Sequence, residues 1–347
     1  MANIKDIARE VGVSIGTVDR VLHNRGRVSE ETKARIEQVM EELHYKPNHV
    51  AQGLAAAKKK LNLVYLVVDW SRNLFFYDVK IAAEKRAEKL KQYGVQVQIL
   101  VLKVNYEREA FFSKEVKEAL ENADGVASVG LYAESECKVL RGLVKRNIPI
   151  VFYNCQAKDI DTLAFVGCDY ISSGRLAAGL AALIGGKDAR VAVFSQGYEE
   201  SNNIESYDER MIGFEKERKL RYPQMKILCQ NGIDLDTTKN EQTVNSVLKE
   251  YPDLNIVYVV NPADYEICET IKKADLKNKI QIITNDLVGR QIEMVENGTI
   301  AATICQEPEK QGEKPLDLLF QYLAYGIKPK EKNIFTKLSI HIAQNIQ

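Results

Sequence analysis

Two carboxylates that follow apolar, strand-like runs, Asp169 after TLAFVGC and Asp286 after IQIITN, are the side chains best placed for acid–base chemistry in this sequence. A pair of carboxylates can serve as general acid and base if each lies within hydrogen-bond reach of a reacting group. Other signs of catalysis are scarce. The sequence has no H-E-x-x-H, no phosphate-binding P-loop and no G-x-G-x-x-G. Of its four histidines, His23, His44 and His49 lie in the first fifty residues and only His341 beyond them, so base chemistry in the remainder would rest on carboxylates. The six cysteines form no C-x-x-C pair and show no metal-like spacing; several stand inside apolar runs, where a thiol behaves as a small hydrophobe. An enzyme, a metal site and a bound cofactor are therefore not expected. Binding is: carboxylate, amide and guanidinium groups can each pair with a hydroxyl, which suits a neutral polyol.

Charge narrows the partners. Lys+Arg and Asp+Glu both number 48, a balance that on its face argues against nucleic acid. The balance conceals an asymmetry, because residues 1–60 hold 11 basic and 8 acidic residues, so the rest of the chain is slightly acidic. A basic N-terminal module on a larger acidic body suits a small DNA reader. The opening MANIKDIARE carries charges where a secretory signal needs an apolar core, and no run approaches membrane-spanning length, so a cytoplasmic protein with no membrane partner is expected. At 347 residues the chain should divide into two or three domains.

The elements that would carry a DNA reader are legible in the first sixty residues. Ile4, Ile7, Ala8 and Val11 form one apolar stripe at helical spacing, Gly12 supplies the left-handed stop, and Ser14 offers an N-cap. Val18, Val21 and Leu22 give a second helix its buried face. A third opens at Ser29 with Glu30 and Glu31 in its first turn and buries Ile36, Val39, Met40 and Leu43. Three short helices with a tight turn between the first two describe a helix-turn-helix. The pieces IKDIA, VGVS, TV-x-RVL, VS-x-x-T and Y-x-PN-x-VA-x-x-L, in these spacings, resemble the headpiece of LacI/GalR-family transcription regulators over about the first 57 residues.

That resemblance implies double-stranded operator DNA as a partner, read by the second helix in the major groove. Ser14 and Thr17 would hold phosphate, Arg20 would reach a guanine edge, and Ile15 and Gly16 occupy the positions that vary with operator sequence. Asp19 departs from the family's usual Ser or Thr. PNHVAQGLAAAKKK resembles the family's hinge helix, with Leu54 as the wedge that kinks the minor groove and Asn48, Ala51 and Ala55 lining the same contact.

From Leu61 onward nine apolar runs, LNLVYLVV, VQVQILVL, GVASVGL, IPIVFY, TLAFVG, RVAVFS, NIVYVV, IQIIT and IAATIC, alternate with helical stretches. That alternation predicts parallel sheets flanked by helices, and the length suits two lobes. This stretch resembles the type I periplasmic-binding-protein fold. The expected fold class is thus an all-α headpiece (1–46), a hinge (47–60) and an α/β two-lobed domain (61–347), with crossovers near 168–172, 304–308 and 330–336. In ribose-type relatives the ligand lies between the lobes. By resemblance its contacts here would be Phe75 or Phe76 stacking on a sugar ring, Asn154, Asp169, Arg210 as a clamp on hydroxyls, Asn261, Asp286 and Gln306. Leu74 and Pro262 stand where the family usually has Pro and Asp. The whole implies a homodimeric regulator, by family default a repressor, whose operator affinity answers to a small effector of the sugar class; a transport sugar-binding protein and a regulator responding to a nucleoside or purine are the alternatives.

Overall fold

The structure is a computed structural model that describes residues 4–22, 28–43, 60–69, 74–104, 110–131, 133–157, 159–195, 205–234, 236–261, 265–275 and 279–346. Its N-terminal unit is three helices, α1 (Ile4–Val11), α2 (Ile15–Leu22) and α3 (Glu30–Glu42). Gly12 ends α1 at φ +76°, a backbone shape that side chains with a Cβ rarely adopt. Ser14 caps α2 by accepting from the Thr17 N–H at 3.0 Å, and Ser29 caps α3 by accepting from the Thr32 N–H at 3.2 Å. Ile7, Ala8, Val18, Ile36 and Val39 close into one small core. Met40 only flanks it, and Leu43 is exposed: it stands at the C-cap of α3, where the helical stripe has already run past the core.

Every one of the nine apolar runs is a strand. The first sheet takes the order β12-β6-β5-β4-β1-β2-β3 and the second β13-β11-β10-β9-β7-β8. These strands are β1 (Asn62–Val68), β2 (Gln96–Val104), β3 (Ala110–Phe111), β4 (Gly125–Val129), β5 (Ile150–Tyr153), β6 (Ala164–Gly167), β7 (Arg190–Ser195), β8 (Lys226–Gly232), β9 (Ile256–Val259), β10 (Gln281–Asn285), β11 (Ala302–Cys305), β12 (Asn333–Phe335) and β13 (Ser339–His341). Pairing is parallel throughout except β2–β3 and β11–β13. Strands β1, β4, β5, β6, β7, β9 and β10 are buried almost end to end, as expected of parallel sheets covered on both faces.

Two helix pairs pack closely on these sheets. In the first lobe α4 (Phe75–Lys91) lies against α12 (Pro308–Tyr325); in the second α7 (Tyr170–Gly185) lies against α8 (Glu205–Arg221). The chain passes from one sheet to the other between β6 and α7, between β11 and α12, and between β12 and β13. In each sheet the order reverses beside the strand that opens its lobe, β1 between β4 and β2, and β7 between β9 and β8. Such reversals leave a crevice at the carboxyl ends of the strands, the usual place for a ligand in open α/β sheets. Among the described residues no helix is long and apolar enough to cross a membrane.

Candidate functional site

The strand ends carry the polar residues. Asn154 follows β5 and Asp286 follows β10, and the two are built alike. Each adopts a left-handed backbone (φ +63° and +62°), a shape that Asn and Asp tolerate better than other side chains with a Cβ. Each also donates its backbone N–H to the next strand, Asn154 to Val166 O at 3.1 Å and Asp286 to Ile304 O at 2.8 Å. The sharp turn swings each side chain out of the strand's alternation at the crevice edge.

Arg210 enters from α8 and is 3% exposed. Its guanidinium carbon lies 4.7 Å from the centroid of the Tyr170 ring, and Nη1 donates to the Val260 carbonyl at 3.4 Å. Among the described residues its Nε is buried without a partner. Around it, Asn285 Nδ2 donates to the Tyr258 hydroxyl at 3.0 Å and to Val260 O at 2.9 Å, while Ser173 Oγ donates to Asn285 Oδ1 at 3.3 Å. Gln306 Nε2 donates to Asp286 Oδ2 at 3.1 Å. Burial pushes the Asp286 carboxyl up to about 6, against the Arg210 guanidinium and the Gln306 amide, which pull it back. Asp78 on α4 adds to the rise, and its own carboxyl is raised by burial and by Glu309.

Arg210, Asp286, Gln306 and Asn154 thus belong to one constellation. Other expected contacts are placed less simply. Both Asp169 oxygens are held at the N-cap of α7, by the Ser172 N–H at 2.9 Å and its hydroxyl at 2.6 Å. Phe75 is sealed in the core of the first lobe, and Phe76 packs edge-on against it with centroids 5.5 Å apart, partly buried and the more accessible ring. Asn261 is half-buried just past β9. Tyr170, Tyr258, Asn285 and Gln311 join the constellation without having been singled out from the sequence. Asn285, beside Asp286 in ITND, could have been found; the others sit in apolar or helical patterns that mark no site.

The cysteines are thiols, and burial raises Cys168 to about 12, so at neutral pH it stays protonated and packs as an apolar group. Among the described residues no group of three or more His, Cys, Asp or Glu could hold a metal.

On α2, Val18 points into the small core while Ile15, Gly16 and Arg20 are exposed and Thr17 is half-buried. Ile15 leaves 49% of its surface to solvent, an unusual placement for an isoleucine on an eight-residue helix. Gly16 meets only Ser14 Oγ, so the first turn is open for close approach. The string GVSIG at 12–16 also spells G-x-S-x-G, but its serine caps a helix and no strand leads into it, unlike the strand–turn–helix that pattern requires for catalysis. The Asp19 side chain and Asn48, Ala51, Leu54 and Ala55 lie outside the described residues.

The raised Asp286 carboxyl predicts a pH dependence. A group whose acidity is weakened on folding contributes stability below its unfolded value, near 4, and that stability is lost as pH rises through about 6. Asp286→Asn should therefore raise the unfolding free energy by about 2–3 kcal/mol at pH 7.5 and by almost nothing at pH 4. Denaturant titrations at the two pH values test this; equal effects at both would show that Asp286 is not held in an ion-hostile site.

Comparisons with known proteins agree with this geometry. Residues 3–48 match the family described as bacterial regulatory proteins, lacI family, and residues 64–328 match the periplasmic binding protein domain. The HTH-type transcriptional regulator DegA of Bacillus subtilis is 29% identical over 57% of this chain and 61% of its own length. The chain spans about half to three-fifths of the length of the curated relatives it matches. Among solved structures, GanP, a glucose-galactose binding protein from Geobacillus stearothermophilus, aligns with TM-score 0.68 at 22% identity, covering 82% of this chain and 98% of that one. An ABC-transporter solute-binding protein from Burkholderia graminis, in complex with D-arabinose, aligns with TM-score 0.70 at 18% identity over 82% and 96%. At these identities the likeness speaks for the fold.

Proposed function

This chain belongs to the periplasmic binding protein domain family, and we propose that it is a regulator of the lacI type, a DNA-binding transcription repressor controlled by a small polyhydroxylated effector held between its two lobes. The observation that carries the reading is the joining of two surfaces in one chain. One is a helix that turns Ile15, Gly16 and Arg20 to solvent; the other is a strand-end constellation of Arg210, Asp286, Gln306 and Asn154. A transport-protein reading accounts for the lobes but leaves the headpiece without a role.

On this reading the headpiece occupies residues 1–46, the hinge 47–60 and the effector domain 61–347. Two copies read a pseudo-palindromic operator, one headpiece per half-site. The effector changes operator affinity because it binds the DNA-competent and incompetent arrangements of the dimer unequally. Ser14 and Thr17 hold phosphate, Arg20 reads a base edge, and Leu54 wedges the minor groove with Asn48, Ala51 and Ala55 around it. The effector meets Phe76, Asn154, Arg210, Asn261, Asp286 and Gln306; Asp169 shapes the site by capping α7.

The test is fluorescence anisotropy with DNA from upstream of the chain's own operon, with and without pentoses, hexoses, polyols and nucleosides. A specific complex is expected, with at least one compound changing its affinity by about tenfold or more. Leu54→Ala should weaken this complex by about tenfold or more while leaving non-specific binding nearly unchanged. Absence of specific binding in every ligand state would sink the regulator reading, and equal loss in both modes would remove the wedge.

A further inference from the structure

Four polar side chains join the strand ends of the two lobes in one head-to-tail line. Asn154 Nδ2 donates to Gln311 Oε1 at 3.4 Å, Gln311 Nε2 to Gln306 Oε1 at 3.2 Å, and Gln306 Nε2 to Asp286 Oδ2 at 3.1 Å. Asn154 belongs to the first lobe and Asp286 to the second, with Gln306 in the crossover between them. The polarity of the line is forced. A carboxylate only accepts, so Gln306 must turn its NH2 toward Asp286 and its oxygen toward Gln311. Gln311 Nε2 also donates to the Gln306 backbone carbonyl at 3.1 Å, another pure acceptor, which fixes its amide a second time. Its oxygen is then left for Asn154.

The sequence of α12 pins Gln311 where it stands. Pro315, four residues on, has no N–H, so the Gln311 carbonyl lacks its helical donor. The Tyr65 hydroxyl from β1 supplies one instead, at 2.9 Å. Gln311 is fully buried, and an amide in such a place is tolerated only when its groups are bonded. Here both side-chain ends and the carbonyl are engaged. The line leaves Oδ1 of Asp286 and Oδ1 of Asn154 without a partner among the described residues, and Arg210 Nε is a buried donor without one.

We propose that Gln311 is a positioning residue that locks the amides of Asn154 and Gln306 across the crossover, so that each lobe presents a hydrogen-bond acceptor and the site selects effectors carrying a donor for each. The proposal rests on the effector-site reading above. An effector of this class brings two O–H or N–H donors and an acceptor for Arg210.

The decisive measurement needs no ligand. Carboxyl carbon-13 NMR of the aspartate-labelled full chain, with the Asp286 signal assigned by Asp286→Asn, gives the Asp286 titration midpoint. In Gln311→Met the Gln306 amide loses its anchor and the midpoint should rise by about half a pH unit or more. Gln311→Glu keeps the volume, cannot donate to Gln306 when ionised, and should raise it further; it carries the test if the Met variant does not fold. A midpoint unchanged in a folded variant reduces Gln311 to core filling and overturns the proposal. Calorimetry with D-arabinose and 2-deoxy-D-ribose supplies the selectivity arm: the parent should prefer the sugar with the extra hydroxyl by about tenfold, and Gln311→Met should narrow the gap. If the parent binds neither sugar, the effector class is wrong while the NMR result still decides the role of Gln311. If it shows the preference and Gln311→Met keeps it in full, the selectivity role is overturned.

Discussion

Arg210→Ala should reduce effector affinity by about a hundredfold or more while leaving effector-free operator binding within about twofold. The size follows from what the side chain does. A guanidinium buried to 3% exposure, braced on the Tyr170 ring and the Val260 carbonyl, is held ready at the cost of its own hydration. Its unpartnered Nε is a donor that a ligand oxygen can satisfy, and a charged hydrogen bond of that kind contributes about 1.5–3 kcal/mol. Removal also takes away the positive charge that offsets burial at Asp286, so the carboxyl should be protonated at a higher pH than about 6. Both effects weaken a hydroxyl-bearing ligand. Calorimetry with the best compound from the effector screen gives the affinity, and anisotropy with operator DNA gives the control. Unchanged effector affinity would remove Arg210 from the site. Loss of operator binding as well would mean that the substitution acts through folding.

The difference between what could and could not be read from the sequence follows burial. The nine long apolar runs became strands because a parallel strand covered on both faces must be hydrophobic along its whole length, and few other structures impose that pattern. Strand β8, KILCQNG, escaped because it lies at a sheet edge, is half-buried and mixes polar with apolar residues. Strands β12 and β13 are only three residues long. At the site, Asn154 and Asp286 were legible because a polar residue directly after an apolar run marks a strand end, and Arg210 because its motif resembles a family pattern. Gln311 was not. A glutamine inside QEPEKQGEKP reads as solvated helix surface, and its burial arises only because α12 is laid against the first lobe beside the crossover. Asp169 shows the opposite case, a polar residue after a strand whose two oxygens are engaged by a helix cap.

Gly174→Ala should be among the most damaging single-methyl additions in the chain. A Cβ at Gly174 would lie 1.8 Å from the Arg210 carbonyl oxygen, and one at Gly213 would lie 2.0 Å from the Ile171 carbonyl oxygen. The obstacles are backbone atoms of the opposing helix, so no side-chain rotation relieves them, and α7 and α8 must move apart. Overpacking of a tight core costs about 1–3 kcal/mol and more where the neighbours cannot yield, so a loss at the upper end or beyond is expected. Gly179 lies on the same helix with nothing within 4 Å of its Cβ position. Gly179→Ala should therefore be neutral or stabilising by up to about 1 kcal/mol, because alanine is the better helix former. Denaturant unfolding of the two variants side by side makes the comparison, and similar midpoints would mean that α7 and α8 do not approach as closely as described. The Gly174 methyl also presses on the backbone that carries Arg210. Where Gly174→Ala remains folded, it should thus weaken effector binding in the same direction as Arg210→Ala, linking a glycine placed for helix packing to the geometry of the guanidinium it supports.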